Sequence, residues 1–131
     1  MLGMHISRLQ FVSVPVADHV KACGFYIDVL GFELVMDLAG PHGQFVMVAL
    51  PGAQTGVVLV DFSVEGRDPG GPVHLQLHTD DLESDVAELR AAGVTVGNPL
   101  DRPWGRTASF NDPDGNLISL LQPSRLGDRP S

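Results

Sequence analysis

Apolar and polar residues alternate over residues 6–14, the period-two pattern of a half-buried strand, and Pro15 is expected to end it. Asp18 then stands where a helix needs an N-cap, ahead of Val20, Ile27 and Leu30 on one helical face. Gly31 follows as the C-cap. Strand patterns return at 32–38, 44–50 and 57–62, with turn-forming stretches at 39–43 and 51–56 between them. The predicted order is β-α-β-β-β.

Residues 63–72 contain Gly66, Asp68, Pro69, Gly70 and Gly71 and read as a linker. Beyond it the pattern restarts. Residues 73–79 form a strand, Asp80 or Asp81 caps a helix with Leu82, Val86 and Leu89 on one face, and Gly93 closes it. A short strand is expected at 94–96, then a hairpin of 106–110 and 116–122 about Asp112-Pro113-Asp114-Gly115. There Pro113 presets φ and Gly115 supplies a left-handed residue. Asp18 and Gly31 stand thirteen apart, as do Asp80 and Gly93, at an offset of about 62 positions. The expectation is an α+β chain forming one domain, 1–131, from two β-α-β-β-β modules, 5–62 and 73–123. A polar tail, 124–131, is expected to fray.

Composition narrows the classes of function. At 131 residues, with 44% hydrophobic and 18% charged residues, the chain suits a soluble globular domain. Eight Lys and Arg against sixteen Asp and Glu leave a net charge of -8. That repels phosphate backbones and anionic membranes, so neither nucleic acid nor a membrane is an expected partner, and a cationic small ligand is attracted. One cysteine, Cys23, excludes an internal disulfide and reads as a buried structural thiol. No apolar run approaches about 18 residues, and the first residues lack a basic stretch followed by an apolar one, so the expected location is cytoplasmic.

The motifs Val14-Pro15-Val16-Ala17-Asp18, Phe25-Tyr26 with Val29-Leu30-Gly31-Phe32, Thr79-Asp80-Asp81-Leu82 with Ala91-Ala92-Gly93-Val94, and Pro103-Trp104-Gly105 with Asp112-Pro113-Asp114-Gly115-Asn116 run in order along nearly the whole chain. Together they resemble the vicinal oxygen chelate superfamily, which holds glyoxalase I, bleomycin-resistance proteins, extradiol dioxygenases and methylmalonyl-CoA epimerase. The resemblance is closest in character to the metal-independent bleomycin-resistance members. It implies two curled mixed sheets, one per module, around a cavity, and a homodimer in which one chain's first half faces the partner's second.

The resemblance also implies four positions at which metal-dependent members place His, Gln or Glu. Here they fall on Phe11, on one of Leu59, Val60 and Asp61, on His74, and on Ser119. Phenylalanine cannot ligate, and a neutral serine hydroxyl is a poor ligand for a divalent transition metal. A catalytic site normally needs about three protein ligands. His74 with Asp61 is a remnant, and the expectation is no cofactor, with a divalent metal, or a site rearranged onto His78 or His5, left as the alternative.

Alternation puts His74, Gln76 and His78 on one face of their strand, and Leu9, Phe11 and Ser13 on one face of the first. The expected ligand pocket therefore uses Phe11, Ser13, Asp61 and His74, together with Gln76, His78, Trp104 and Ser119. Trp104 either stacks on a flat ligand or seals the core. The expected function is a metal-independent small-molecule binding protein that sequesters an antibiotic or metabolite, the ligand being cationic or aromatic. The alternative is a superfamily enzyme, a lyase, isomerase or dioxygenase, with His74 as general base.

Overall fold

In a computed structural model, residues 4–40, 43–61 and 73–124 are described. The linker expected at 63–72 and nearly all of the tail lie outside them. Two four-stranded sheets carry the same plan. The first runs β1-β4-β3-β2, from β1 (Phe11–Val16), β2 (Glu33–Gly40), β3 (Gly43–Ala49) and β4 (Gly56–Asp61). The second runs β5-β8-β7-β6, from β5 (His74–His78), β6 (Leu100–Arg102), β7 (Gly105–Asn111) and β8 (Leu117–Pro123). In both, the first strand lies parallel to the last while the other neighbours are antiparallel. Two parallel strands cannot be joined by a tight turn, so a helical crossover stands between β1 and the rest. Residue contacts divide the chain into two units, Met1–Pro69 and Gly70–Ser131. No helix among the described residues is long and apolar enough to cross a membrane.

In the first unit, Asp18 caps α1 (His19–Cys23), accepting from the amides of Val20 at 2.9 Å and Lys21 at 3.2 Å. The helix then widens into a π-helical segment, Gly24–Val29, in which the Leu30 amide donates to the Phe25 carbonyl five residues back at 3.1 Å. The wider turn rotates the side chains out of the 3.6-residue phase. Val20, expected inside, is 84% exposed and Ile27 and Leu30 are half-buried, while Ala22 and Tyr26 are buried. Tyr26 meets Phe25 and Phe32 edge-on, with centroids 5.7 and 5.5 Å apart. Beneath the helical segment lie Val14, Val16, Val46, Val48 and Leu59, all buried. Gly31 closes the segment at φ 84°.

The first strand differs from its expected bounds. It begins at Phe11 rather than residue 6, and it contains Pro15 instead of ending there. β1 is an edge strand with β4 as its one partner in the sheet, and an edge tolerates proline because alternate amides on it have no ladder partner.

In the second unit, Asp81 is the cap of α2 (Leu82–Ala91), accepting from the Ser84 amide at 3.1 Å. The Leu82 amide donates to Gln122 Oε1 of β8 at 2.8 Å, which ties the helix start to the sheet. Leu82, Val86 and Leu89 are buried, as their spacing requires, with Leu75, Ala108, Phe110, Ile118 and Leu120 also inside. The strand expected at 94–96 does not form. One carbonyl of this stretch is held by a side chain: the Arg90 guanidinium donates to Val96 O at 3.0 Å, and also to Asn98 Oδ1 at 3.3 Å. The edge strand of this sheet is the three-residue β6 further on.

The β7–β8 turn follows its sequence closely. Gly115 N donates to Asp112 O at 3.0 Å, and Gly115 sits at φ 88°. The buried Asp112 carboxylate accepts from the amides of Asp114 and Asn116 and from the Asn116 side chain, each at 2.9 Å. At the other end of β7, Gly105 has φ 149°, and a Cβ there would overlap the Gln122 carbonyl oxygen and lie 2.8 Å from Pro123 Cα. Gly105→Ala is expected to destabilise the fold by about 2–3 kcal/mol. Gly97→Ala, whose added Cβ would meet Ser109 O at an ordinary 3.8 Å, is expected to be near neutral. Urea unfolding midpoints of the two variants check this.

Candidate functional site

Each sheet has one face under its helix and one without a helix. On the open face of the second sheet, register aligns His74 with Leu117, Gln76 with Ser119 and His78 with Leu121. Ser119 in turn stands opposite Ser109. His74, Gln76 and His78 are exposed, while Leu75 beneath them is buried. Alternation thus places all three residues on one face, in line with the sequence reading.

A hydrogen-bonded chain crosses this face. His74 Nε2 lies 2.8 Å from Ser119 Oγ, and Ser109 Oγ lies 2.7 Å from the same atom. A hydroxyl has one proton, so Ser119 donates to one neighbour and accepts from the other. With Ser119 only 4% exposed, both contacts are its substitutes for water. His78 is engaged separately, its Nε2 3.0 Å from Asp80 Oδ1 in an exposed pair of little energetic weight. Ser109 was not among the expected pocket residues. Its signal was available: a turn at Asp112-Gly115 that pairs Asn111 with Leu117 also pairs Ser109 with Ser119.

On the first sheet, Phe11, Ser13 and Pro15 align with Gly56, Val58 and Val60, and Asp61 aligns with Val16. Phe11 is 39% exposed and meets Phe45 edge-on with centroids 6.1 Å apart. Ser13 is half-buried. Phe45 was missed because pairing it with Phe11 depends on how strands two places apart in the sheet approach each other. Leu9, expected on β1, precedes the strand; its carbonyl accepts from Thr55 Oγ1 at 2.7 Å.

Phe11 offers no donor atom, and Ser119 offers a neutral hydroxyl already shared between His74 and Ser109. Among the described residues no group of three or more His, Cys, Asp or Glu side chains is placed to hold a metal ion.

Trp104 sits in the turn between β6 and β7 and is 54% exposed, so its indole does not seal a core. Arg106, two residues on, is held by Glu83 and by Asp101, the latter with Nε 2.8 Å from Oδ1. These hydrogen bonds raise the guanidinium pKa above its ordinary value, Glu83 contributing most. His19 is structural: its Nε2 contacts the Leu59 carbonyl at 2.9 Å, so that nitrogen donates.

Burial pushes the Cys23 thiol pKa up, and the Asp37 carboxylate adds to the shift. A raised pKa leaves less thiolate at neutral pH. At pH 8, iodoacetamide is expected to alkylate folded protein more slowly than protein in urea. The sign for stability follows: this contribution is intact below the unfolded thiol pKa and is lost as pH rises through the folded one. Ser119→Ala is expected to cost about 1 kcal/mol in urea unfolding, because the exposed His74 and Ser109 regain water.

The model of the Glyoxalase/Bleomycin resistance protein/Dioxygenase superfamily matches residues 8–120. Among solved structures, the antibiotic binding protein TnmS3 from Streptomyces sp. CB03234 is 48% identical, with a TM-score of 0.87, over 93% of this chain and 100% of that one. A glyoxalase/bleomycin resistance protein from the same organism is 46% identical, with a TM-score of 0.77, over 88% of this chain and 100% of that one. A probable lactoylglutathione lyase from Synechocystis sp. (strain ATCC 27184 / PCC 6803 / Kazusa) is 29% identical over 92% of this chain and 98% of its own length. The repeated β-α-β-β-β sheets and the match across most of its length place this chain in the Glyoxalase/Bleomycin resistance protein/Dioxygenase superfamily.

Proposed function

We propose that the chain is a small-molecule binding protein that sequesters an antibiotic or metabolite against the open faces of its sheets, with no metal taking part. The observation that carries this reading is the chemistry at two positions where metal-dependent relatives hold ligands. Phe11 supplies an apolar ring, and Ser119 is committed to a hydrogen-bonded chain with His74 and Ser109. Such surfaces hold a ligand by apolar contact and oriented polar groups. Similarity to an antibiotic binding protein at 48% identity supports the same reading. Homodimerisation belongs to the proposal. It is supported by Phe11, Met36, Leu38 and Phe45, which leave apolar area exposed on the first sheet.

A second reading, an enzyme with an altered site, is favoured by the similarity to a probable lactoylglutathione lyase and by the accessible His74 imidazole. In that case His74→Ala would abolish turnover.

Trp104 is the only tryptophan, so its fluorescence reports on one place. Titrating the protein with a panel of aromatic antibiotics is expected to quench it saturably for at least one compound, with EDTA leaving affinity unchanged. Stoichiometric metal in protein purified without chelator, or affinity lost with EDTA, would overturn the metal-free reading. Sedimentation equilibrium is expected to give twice the chain mass of 14.0 kDa.

A further inference from the structure

We infer that the β6–β7 hairpin anchors the anionic group of a flat aromatic ligand, with Arg102 as the anion contact and Trp104 as the stacking surface. This rests on the binding-protein reading and names the class of ligand it would hold.

Two arginines stand close together here and meet opposite fates. β6 pairs with β7 so that Asp101 faces Arg106 and Arg102 faces Gly105. Alternation sends Asp101 and Arg106 to the side of Glu83, which joins them. Arg102 falls in the other phase, with Leu100 and, on β7, Thr107 and Ser109. That is the open face of the second sheet. Arg102 is exposed and has no ion-pair partner among the described residues. In a chain with sixteen acidic residues and eight basic ones, partners for a guanidinium are plentiful, and Arg106 has taken two. Arg102 keeps its planar fork of donors open, and that fork matches a carboxylate in two-point contact.

Trp104 follows two residues later, within about 7 Å along the chain. Its exposed indole offers a flat apolar surface beside the charge, and the exposed Leu100 adds apolar area on the Arg102 side. The hairpin is held in place. Ser124 N donates to the Trp104 carbonyl at 3.0 Å and Ser124 Oγ to the Pro103 carbonyl at 3.4 Å. Gly105 permits the tight approach of the turn to β8. An anchored loop loses little freedom when it binds, which favours a true recognition element. The local arrangement thus selects a charge opposite to the one the net charge of -8 would attract.

The experiment uses the full chain and three probes of one shape: 2-naphthoate, its methyl ester and 2-naphthylmethylammonium. Affinities come from calorimetry, and the Trp104 indole proton resonance locates the contact. Naphthoate is expected to bind at least ~10-fold more tightly than either other probe and to shift the indole signal. Arg102→Gln should reduce that preference to within about 2-fold, with Arg102→Lys retaining part of it. The exposed, unpaired Arg102 predicts an unchanged urea midpoint for both variants, so lost preference is not lost folding. Equal binding of all three probes, or a preference that survives Arg102→Gln, would overturn the inference while leaving the binding-protein reading intact. It also falls if antibiotics from the panel bind but naphthoate leaves Trp104 undisturbed. If neither the antibiotics nor the probes bind, the binding-protein reading itself fails, and this inference with it.

Discussion

The parallel pairing of the first strand with the last, in each module, is the constraint on which the rest depends. β1 reaches β4 and β5 reaches β8 only across a helical segment and two further strands. That crossover covers one face of each sheet and leaves the other without a helix. Period-two alternation then sorts every strand residue. Val14, Val46, Val48, Leu59, Leu75, Ile118 and Leu120 go beneath the helices, while Phe11, Ser13, His74, Gln76 and Ser119 go to the open side. On each sheet the candidate residues follow from this sorting, and the strand residues among them are held by ladder hydrogen bonds.

The same sorting governs the polar chemistry. Ser119 is buried at the centre of its sheet, so its hydroxyl must be satisfied from neighbouring strands, and His74 and Ser109 flank it in register. The result is a hydrogen-bonded chain across three strands. Charge is sorted likewise. Adjacent residues Asp101 and Arg102 face opposite ways, so one joins an ion-paired cluster and the other has no ion-pair partner among the described residues. The net charge cannot report this, because it averages over both faces.

Element order, the repeat and both helix caps were legible in the chain, because they rest on local chemistry. Asp18 and Asp81 accept amide protons whatever the tertiary context, and Gly31, Gly93 and Gly115 adopt the positive φ their turns need. The misreadings arose where a distant group intervened. Pro15 lies inside a strand because that strand is an edge. Residues 94–96 are irregular, and Arg90, from the preceding helix, binds the Val96 carbonyl there. Val20 turns outward because the helical segment packs Ala22 and Tyr26, on another face, against the sheet.

By itself the sequence determined the two-module plan and which residues alternate onto the open faces, since both follow from periodicity and turn chemistry. Only the tertiary structure decided that Ser119 is shared between His74 and Ser109, that Arg106 is neutralised and that Arg102 is not. Those outcomes depend on which strands lie side by side and on the register between them. Contacts of that kind cross between elements, His74 and Ser119 being 45 positions apart, and no pattern along one strand encodes them.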